Sequence, residues 1–331
     1  MRFHVIQTVL LIIIFCLLGS AVGAVDVGFD FETQKMFGHT KFNIKFSDYE
    51  PLFGADVKGE SELEFPLDMF LIGASMRLKG KLKSGEPWRV KLGVFTNLNH
   101  PSNDMKDTDW ITLPVYNIFH KKFSYTESDA ELKTLLVYVE GRFGLVREPK
   151  FILELLGGYE YQDFSFEIFG VRGWQGWEWD YEVHFDTLHG VNVLDYDVTY
   201  HVPYGGMAAC FQISPRFNLE AKGAIAPRVS ANDHDDHLLR NKTADGDCSG
   251  WALKAETDLR WIVFETSSKS NWSLGLGFGF MKISTSGKQE QNWYGDDPVS
   301  EEDDTGSRVT GIKQKINSNQ ITIQAQIGYQ F

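Results

Sequence analysis

The chain has 331 residues, with 45 Asp and Glu against 32 Lys and Arg, a formal net charge of −13 and three cysteines. An acidic chain with no lysine-rich or arginine-rich tract has nothing to follow a phosphate backbone, which excludes nucleic acid as a partner. Three cysteines build no disulfide framework in a chain of this length, and 14% aromatic residues with 31 glycines point to β structure.

Residues 1–24 carry Arg2, an apolar run from Val9 to Leu18 and the small-residue pattern Val22-Gly23-Ala24, the signature of a cleaved secretory signal. The run is shorter than the ~20 residues a spanning helix needs. Cys16 leaves with the signal, so the mature chain, 25–331, is expected to be one domain keeping Cys210 and Cys248. Nothing in the sequence pairs these two.

An opening strand is predicted near 27–47. Four hairpins follow, with tight turns at Ser84-Gly85-Glu86-Pro87, Arg147-Glu148-Pro149-Lys150, Ser214-Pro215-Arg216 and Ser267-Ser268-Lys269-Ser270-Asn271. In the closing strand, Ile321, Ile323, Ala325, Ile327, Tyr329 and Phe331 alternate with Gln320, Thr322, Gln324, Gln326, Gly328 and Gln330. Longer polar segments separate the hairpins at 48–60, 97–130, 169–195, 230–250 and 284–314. Ten strands, short turns on one side and long segments on the other describe a ten-stranded antiparallel transmembrane β-barrel. Its even strand number closes the sheet with no free edge, as lipid requires. The expected location is the outer membrane of a Gram-negative bacterium, with short periplasmic turns and long extracellular loops. The tryptophans of 173–186 read as an interfacial aromatic belt, with a carbohydrate-binding or substrate-stacking surface as the alternative.

Two segments carry candidate chemistry. In 230–240, SANDHDDHLLR, Asp235 and His237 stand two apart, so an extended chain points both to one side. A carboxylate beside an imidazole fixes its tautomer and raises its basicity, which suits a general base; a solvated acidic loop has the same composition. In 103–111, NDMKDTDWI, Asp107 and Asp109 repeat the spacing. Such a pair can share a proton or hold a water, bind a cation, or simply be solvated.

Met105-Lys106-Asp107-Thr108-Asp109-Trp110 and Asn232-Asp233-His234-Asp235-Asp236-His237 resemble two segments of the omptin family of outer-membrane proteases. Weaker similarity continues in Ser61-Glu62-Leu63-Glu64-Phe65, Gly158-Tyr159, Phe164-Ser165-Phe166 and Val202-Pro203-Tyr204. The resemblance implies a ten-stranded barrel with an endopeptidase site at its mouth. Asp235 would orient His237, His237 would activate a water, and Asp107 and Asp109 would position that water or stabilise the tetrahedral intermediate. It implies peptide or protein substrates, surrounding outer-membrane lipid, and neither metal nor cofactor. A barrel of the same lineage serving as an adhesin or surface receptor is the alternative.

The sequence departs from the family at two places. The family binds a basic substrate residue with two acidic side chains. Asp233 matches one, but Gly38-His39-Thr40-Lys41 is followed by Phe42 where the family has Glu. Lipopolysaccharide, which activates the family, is held by basic and polar groups. Tyr159 matches one of these, whereas Tyr161, Asp163 and Thr199 replace Glu, Arg and Arg. Lipopolysaccharide activation therefore does not follow from the resemblance.

Overall fold

The computed structural model describes residues 25–50, 55–82, 85–178, 181–265, 270–298, 300 and 303–331. The signal segment 1–24, Ser84, Trp179 and 267–269 of the last tight turn lie outside them. The described chain forms β1 (Asp26–Glu50), β2 (Ala55–Pro66), β3 (Met69–Lys81), β4 (Pro87–Asn97), β5 (Met105–Leu113), β6 (Ile118–Glu148), β7 (Phe151–Glu178), β8 (Tyr181–Ser214), β9 (Phe217–His237), β10 (Lys242–Glu265), β11 (Asn271–Trp293) and β12 (Arg308–Gln330).

All the pairings are antiparallel, and β1 pairs with β12 from Gly28↔Gln330 to Lys45↔Lys313, which closes the sheet into a ring. The lower part of β1 pairs with β3 and its upper part with β2, so β2 and β3 are two lengths of one wall position. Similarly, β4 and β5 succeed one another between that position and β6. Ten positions therefore circle the barrel, the number expected from four hairpins with an opening and a closing strand. The strand ends that flank the four predicted tight turns lie at one end of the barrel, with Asp26 and Gln330.

At this end the outer face is apolar. Phe29, Phe31, Leu274, Leu276, Phe278, Ile321, Ile323 and Ile327 are all exposed, while Gln320 and Gln326 of the closing strand are buried inside. Phe217 stacks on Trp261 at 5.8 Å, and Trp272 meets Tyr329 at 4.9 Å. An apolar outer belt edged by rings, around a polar interior, is the architecture of a transmembrane β-barrel.

Inside the belt, charged side chains line a cavity of about 930 Å³. Arg142 holds Glu140 at 2.6 Å and Glu220 at 2.5 Å, while Lys222 and Lys254 share Glu256. Above the chamber, the interior turns apolar. Phe42, Phe65, Phe164, Phe166, Tyr196 and Tyr200, each at most 1% exposed, fill the barrel from wall to wall. Phe65 of β2 lies flat on Tyr196 of β8, with centroids 4.2 Å apart and planes 8° from parallel. These strands are four positions apart in the ring of ten, so the barrel is flattened and closed here.

The polar segments expected as long loops are mostly strand. β1 runs to Glu50, β7 to Glu178 and β9 to His237, and only Leu238–Arg240 and Asn241 join β9 to β10. Above the lipid both faces of a strand meet water or polar neighbours, so apolar alternation fades while ladder hydrogen bonding continues. For the same reason Trp174 is not part of an interfacial belt. At ~3.3 Å per residue, β7 has crossed the apolar zone long before Trp174, which lies near the tip of the β7–β8 hairpin.

Candidate active site

Proline cannot donate to a ladder and belongs at bulges within sheets. In β9, Gly250 of β10 pairs with Val229 but Ala252 with Ala226, so Pro227-Arg228 bulges against Trp251. The extra residue reverses the side-chain parity. Ala224 and Ala226 face inward below the bulge, and Val229, Ala231, Asp233 and Asp235 do so above it. A bulge that re-aims side chains in this way is a recurrent means of building a site. Without it, Asn232, His234 and Asp236 would face the interior.

Asp235 is 2% exposed, and one of its oxygens lies 3.7 Å from Nε2 of His237, beyond hydrogen-bond length but within reach of an ion pair. His237 is partly exposed toward the mouth. Burial, then the charges of Lys242 and Arg240, push its imidazole well below the ordinary histidine range, so it is neutral at neutral pH. Burial pushes Asp235 up, and the Lys242 ammonium opposes this.

Asp107 and Asp109 project inward from β5, which is clamped between β2 and β6. Asp107 sits opposite Leu63 and Thr126, and Asp109 opposite Ser61 and Ser124. Burial and the neighbouring Asp109 raise the proton affinity of Asp107, and burial raises that of Asp109. Two close carboxylates cannot both ionise freely, so the pair retains a proton. The aromatic stack brings this wall toward the dyad. Tyr196 is the cross-strand partner of Asp235, and Phe65 lies two residues below Leu63, the partner of Asp107. Arg240, just after His237, is near enough to act on Asp109.

Asp233 also faces inward and is 7% exposed. It accepts a hydrogen bond from Gln314 Nε2 at 2.9 Å, and burial raises it to about 7. Gly246 makes that contact possible, because a Cβ there would stand 2.2 Å from the Asp233 oxygen and 1.9 Å from the Gln314 nitrogen. Phe42 does not line an open pocket opposite Asp233. It is 1% exposed and packed edge-on against Tyr196 at 5.9 Å, within the aromatic plug. His234 faces outward and contacts Asp245 at 2.8 Å, and Asp236 accepts a hydrogen bond from Tyr294. Among the described residues, no three His, Cys, Asp or Glu side chains gather as a metal site.

Sequence reasoning missed Lys242, Arg240, Asp297 and Gln314. Lys242 stands directly across the hairpin from His237 and is 6% exposed. Arg240 is held by Asp297 at 2.7 Å. The available signal was Leu238-Leu239-Arg240-Asn241: three residues of 3-10 helix and an Asn in the left-handed region (φ 49°) make a tight reversal, which returns Lys242 to His237. On the outer wall, Tyr159 meets His201 at 2.5 Å and Thr199 donates to Asp163 at 2.9 Å, with no arginine at either position.

A flattened, plugged ten-position barrel with carboxylates and an imidazole facing inward at its mouth is a membrane barrel built around a site, not around a channel. The sequence matches the omptin family over residues 74–269, more than half of the chain, and the protein belongs to that family. The fold is similar to that of the outer membrane protease OmpT from Escherichia coli, with a TM-score of 0.69 at 16% identity, covering 92% of this chain and 97% of that one. The translocator domain of the autotransporter NalP from Neisseria meningitidis aligns with 99% of this chain and 96% of its own, at 10% identity and a TM-score of only 0.31. No curated protein matches the sequence.

Proposed function

We propose that the protein is an outer-membrane endopeptidase that hydrolyses peptide bonds with a water activated at the barrel mouth, the mouth facing out of the cell. His237, held neutral, accepts a proton from the attacking water. Asp235 orients the ring and balances the imidazolium as it forms. The new C–O bond places negative charge on the carbonyl oxygen, and the proton kept by the Asp107–Asp109 pair lies on the facing wall to stabilise it. His237 then returns its proton to the leaving amine. Supporting this above all is the approach of His237 to Asp235, 3.7 Å apart, opposite an acid pair that retains a proton.

The substrate side differs from a basic-residue pocket. Asp233 is its one matching carboxylate, already engaged by Gln314, and Phe42 is spent on the plug. Losing one of two carboxylate partners removes about 1–3 kcal/mol of charge-assisted bonding to an arginine. We infer that the enzyme does not select arginine before the scissile bond. With Tyr159 bonded to His201, Thr199 donating to Asp163 and no arginine among them to hold a phosphate, we further infer that it does not need lipopolysaccharide.

One experiment tests these points together: cleavage of a peptide panel varied only before the scissile bond, in detergent with and without lipopolysaccharide, by wild type and His237→Ala. Cleavage is expected to fall by about 10³-fold or more in the variant, with the barrel still folded by circular dichroism. Equal rates in both proteins would refute the mechanism. Tenfold preference for Arg over Phe would refute the altered pocket, and activity only with lipopolysaccharide would refute independence from it.

A further inference from the structure

Four carboxylates face into the mouth, at Asp107, Asp109, Asp233 and Asp235, and two cations stand among them. Arg240 is committed to Asp297, with its Nε 2.9 Å and a terminal nitrogen 2.7 Å from one carboxylate oxygen. Lys242 has no such commitment. Among the described residues its ammonium has no hydrogen-bond or ion-pair partner, and it stands over the Trp293 ring, 5.7 Å from the centroid. It is nevertheless 6% exposed and shares the inward face of β10 with Ala244 and Gly246. A lysine so little exposed, with no hydrogen-bonded carboxylate to hold its ammonium, is costly to fold around. Its position, across the hairpin from His237, is where such a charge has a use.

We propose that Lys242 is a positioning residue of this centre, whose ammonium keeps Asp235 the charged member of the dyad and His237 the neutral one. The surrounding groups divide by sign. Lys242 and Arg240 oppose a positive charge on His237, and Asp297, from the connection between β11 and β12, favours it. For Asp235, Lys242 and then His234 favour the anion, while Asp233 and Asp236 oppose it. Tyr196 of β8, directly across from Asp235, is a neutral phenol, and Asp109 on the facing wall is turned toward its own partners, Ser61, Arg240 and Ser124. Of the groups just named, Lys242 favours the working charge state at both members of the dyad.

The consequence for catalysis rests on the endopeptidase reading above, but the electrostatic effect does not. In Lys242→Met, or Lys242→Gln if the first variant folds poorly, the imidazole gains proton affinity and the carboxylate loses its counter-charge. Both changes move the acid limb of the pH–rate profile upward, by about one pH unit, a tenfold change in proton affinity. Lys242→Arg is expected to keep the wild-type limb. A parallel fall in rate at every pH, with the limb unmoved, would indicate a merely structural lysine and overturn the proposal. An NMR titration of the His237 ring in wild type and variants reads the same shift without substrate. If wild type cleaves no peptide, the endopeptidase reading fails, and an unmoved His237 midpoint in Lys242→Met separately overturns the role of Lys242.

Discussion

In the chamber within the apolar belt, buried carboxylates are matched with cations: Asp30 with Arg77 and Arg260, Glu32 with Lys91, Glu140 with Arg142 and Lys222, and Glu154 and Glu220 with Arg89. At the mouth, Asp107, Asp109, Asp233 and Asp235 make no ion pair with lysine or arginine among the described residues, and Asp235 has only His237. One interior therefore holds two populations of buried acid. In the first, the charges satisfy one another and fix the barrel's shape. In the second, proton affinities are left raised, which costs stability and is characteristic of groups that handle protons.

That contrast can be broken from either side. The largest effect on stability is expected in the chamber. Arg142→Met strips Glu140 and Glu220 of a shared partner that is itself only 7% exposed on its side chain. The expected cost is about 3–5 kcal/mol, read as a lower unfolding midpoint in detergent and urea, with peptide cleavage by the folded fraction preserved. Asp107→Asn should show the reverse: activity down by about 10²–10⁴-fold, and stability unchanged or improved, because a poorly solvated carboxylate is gone. A stability loss in Asp107→Asn as large as in Arg142→Met would erase the distinction.

The smallest effect is a pH dependence. Asp233 is held at about 7 in the fold against an ordinary 3.8, so the folded state binds the proton more tightly. The stabilisation this gives is complete below about pH 4 and lost as pH rises past about 7. The unfolding midpoint of wild type should therefore decline between these limits, and Asp233→Asn should flatten the decline. A midpoint that rises over the range would show that Asp233 is stabilised as an anion.

Much of this was legible beforehand, for reasons that differ by region. Within lipid the alternation is enforced by the solvent on each side, so Ile321 to Phe331 declared their faces and the tight turns declared strand ends. Asp107 with Asp109 and Asp235 with His237 were visible as pairs because a spacing of two is local. Above the lipid that enforcement ends, and 97–130 and 169–195 read as loops although ladders run through them. Phe42 was misplaced as a pocket wall because its neighbour Tyr196 is 154 positions along the chain. Lys242 escaped notice because it acquires meaning only from its strand partner His237, and Gln314 because its side chain meets Asp233 from a strand that does not pair with β9. Pro227 was the overlooked clue, since a proline within a long strand announces the bulge that turns Asp233 and Asp235 inward.

The seam between β1 and β12 also governs how the molecule comes into being. Gly28 must find Gln330, and Lys45 must find Lys313, so the first and last lengths of chain are cross-strand partners. Such distant pairing carries a large loop-closure entropy and makes for slow assembly. The ring cannot shut until the final strand has been synthesised and delivered, so the polypeptide must be kept unaggregated until then. A chain cut short before Arg308 would lose β12 altogether, leaving β1 and β11 as bare edges in lipid.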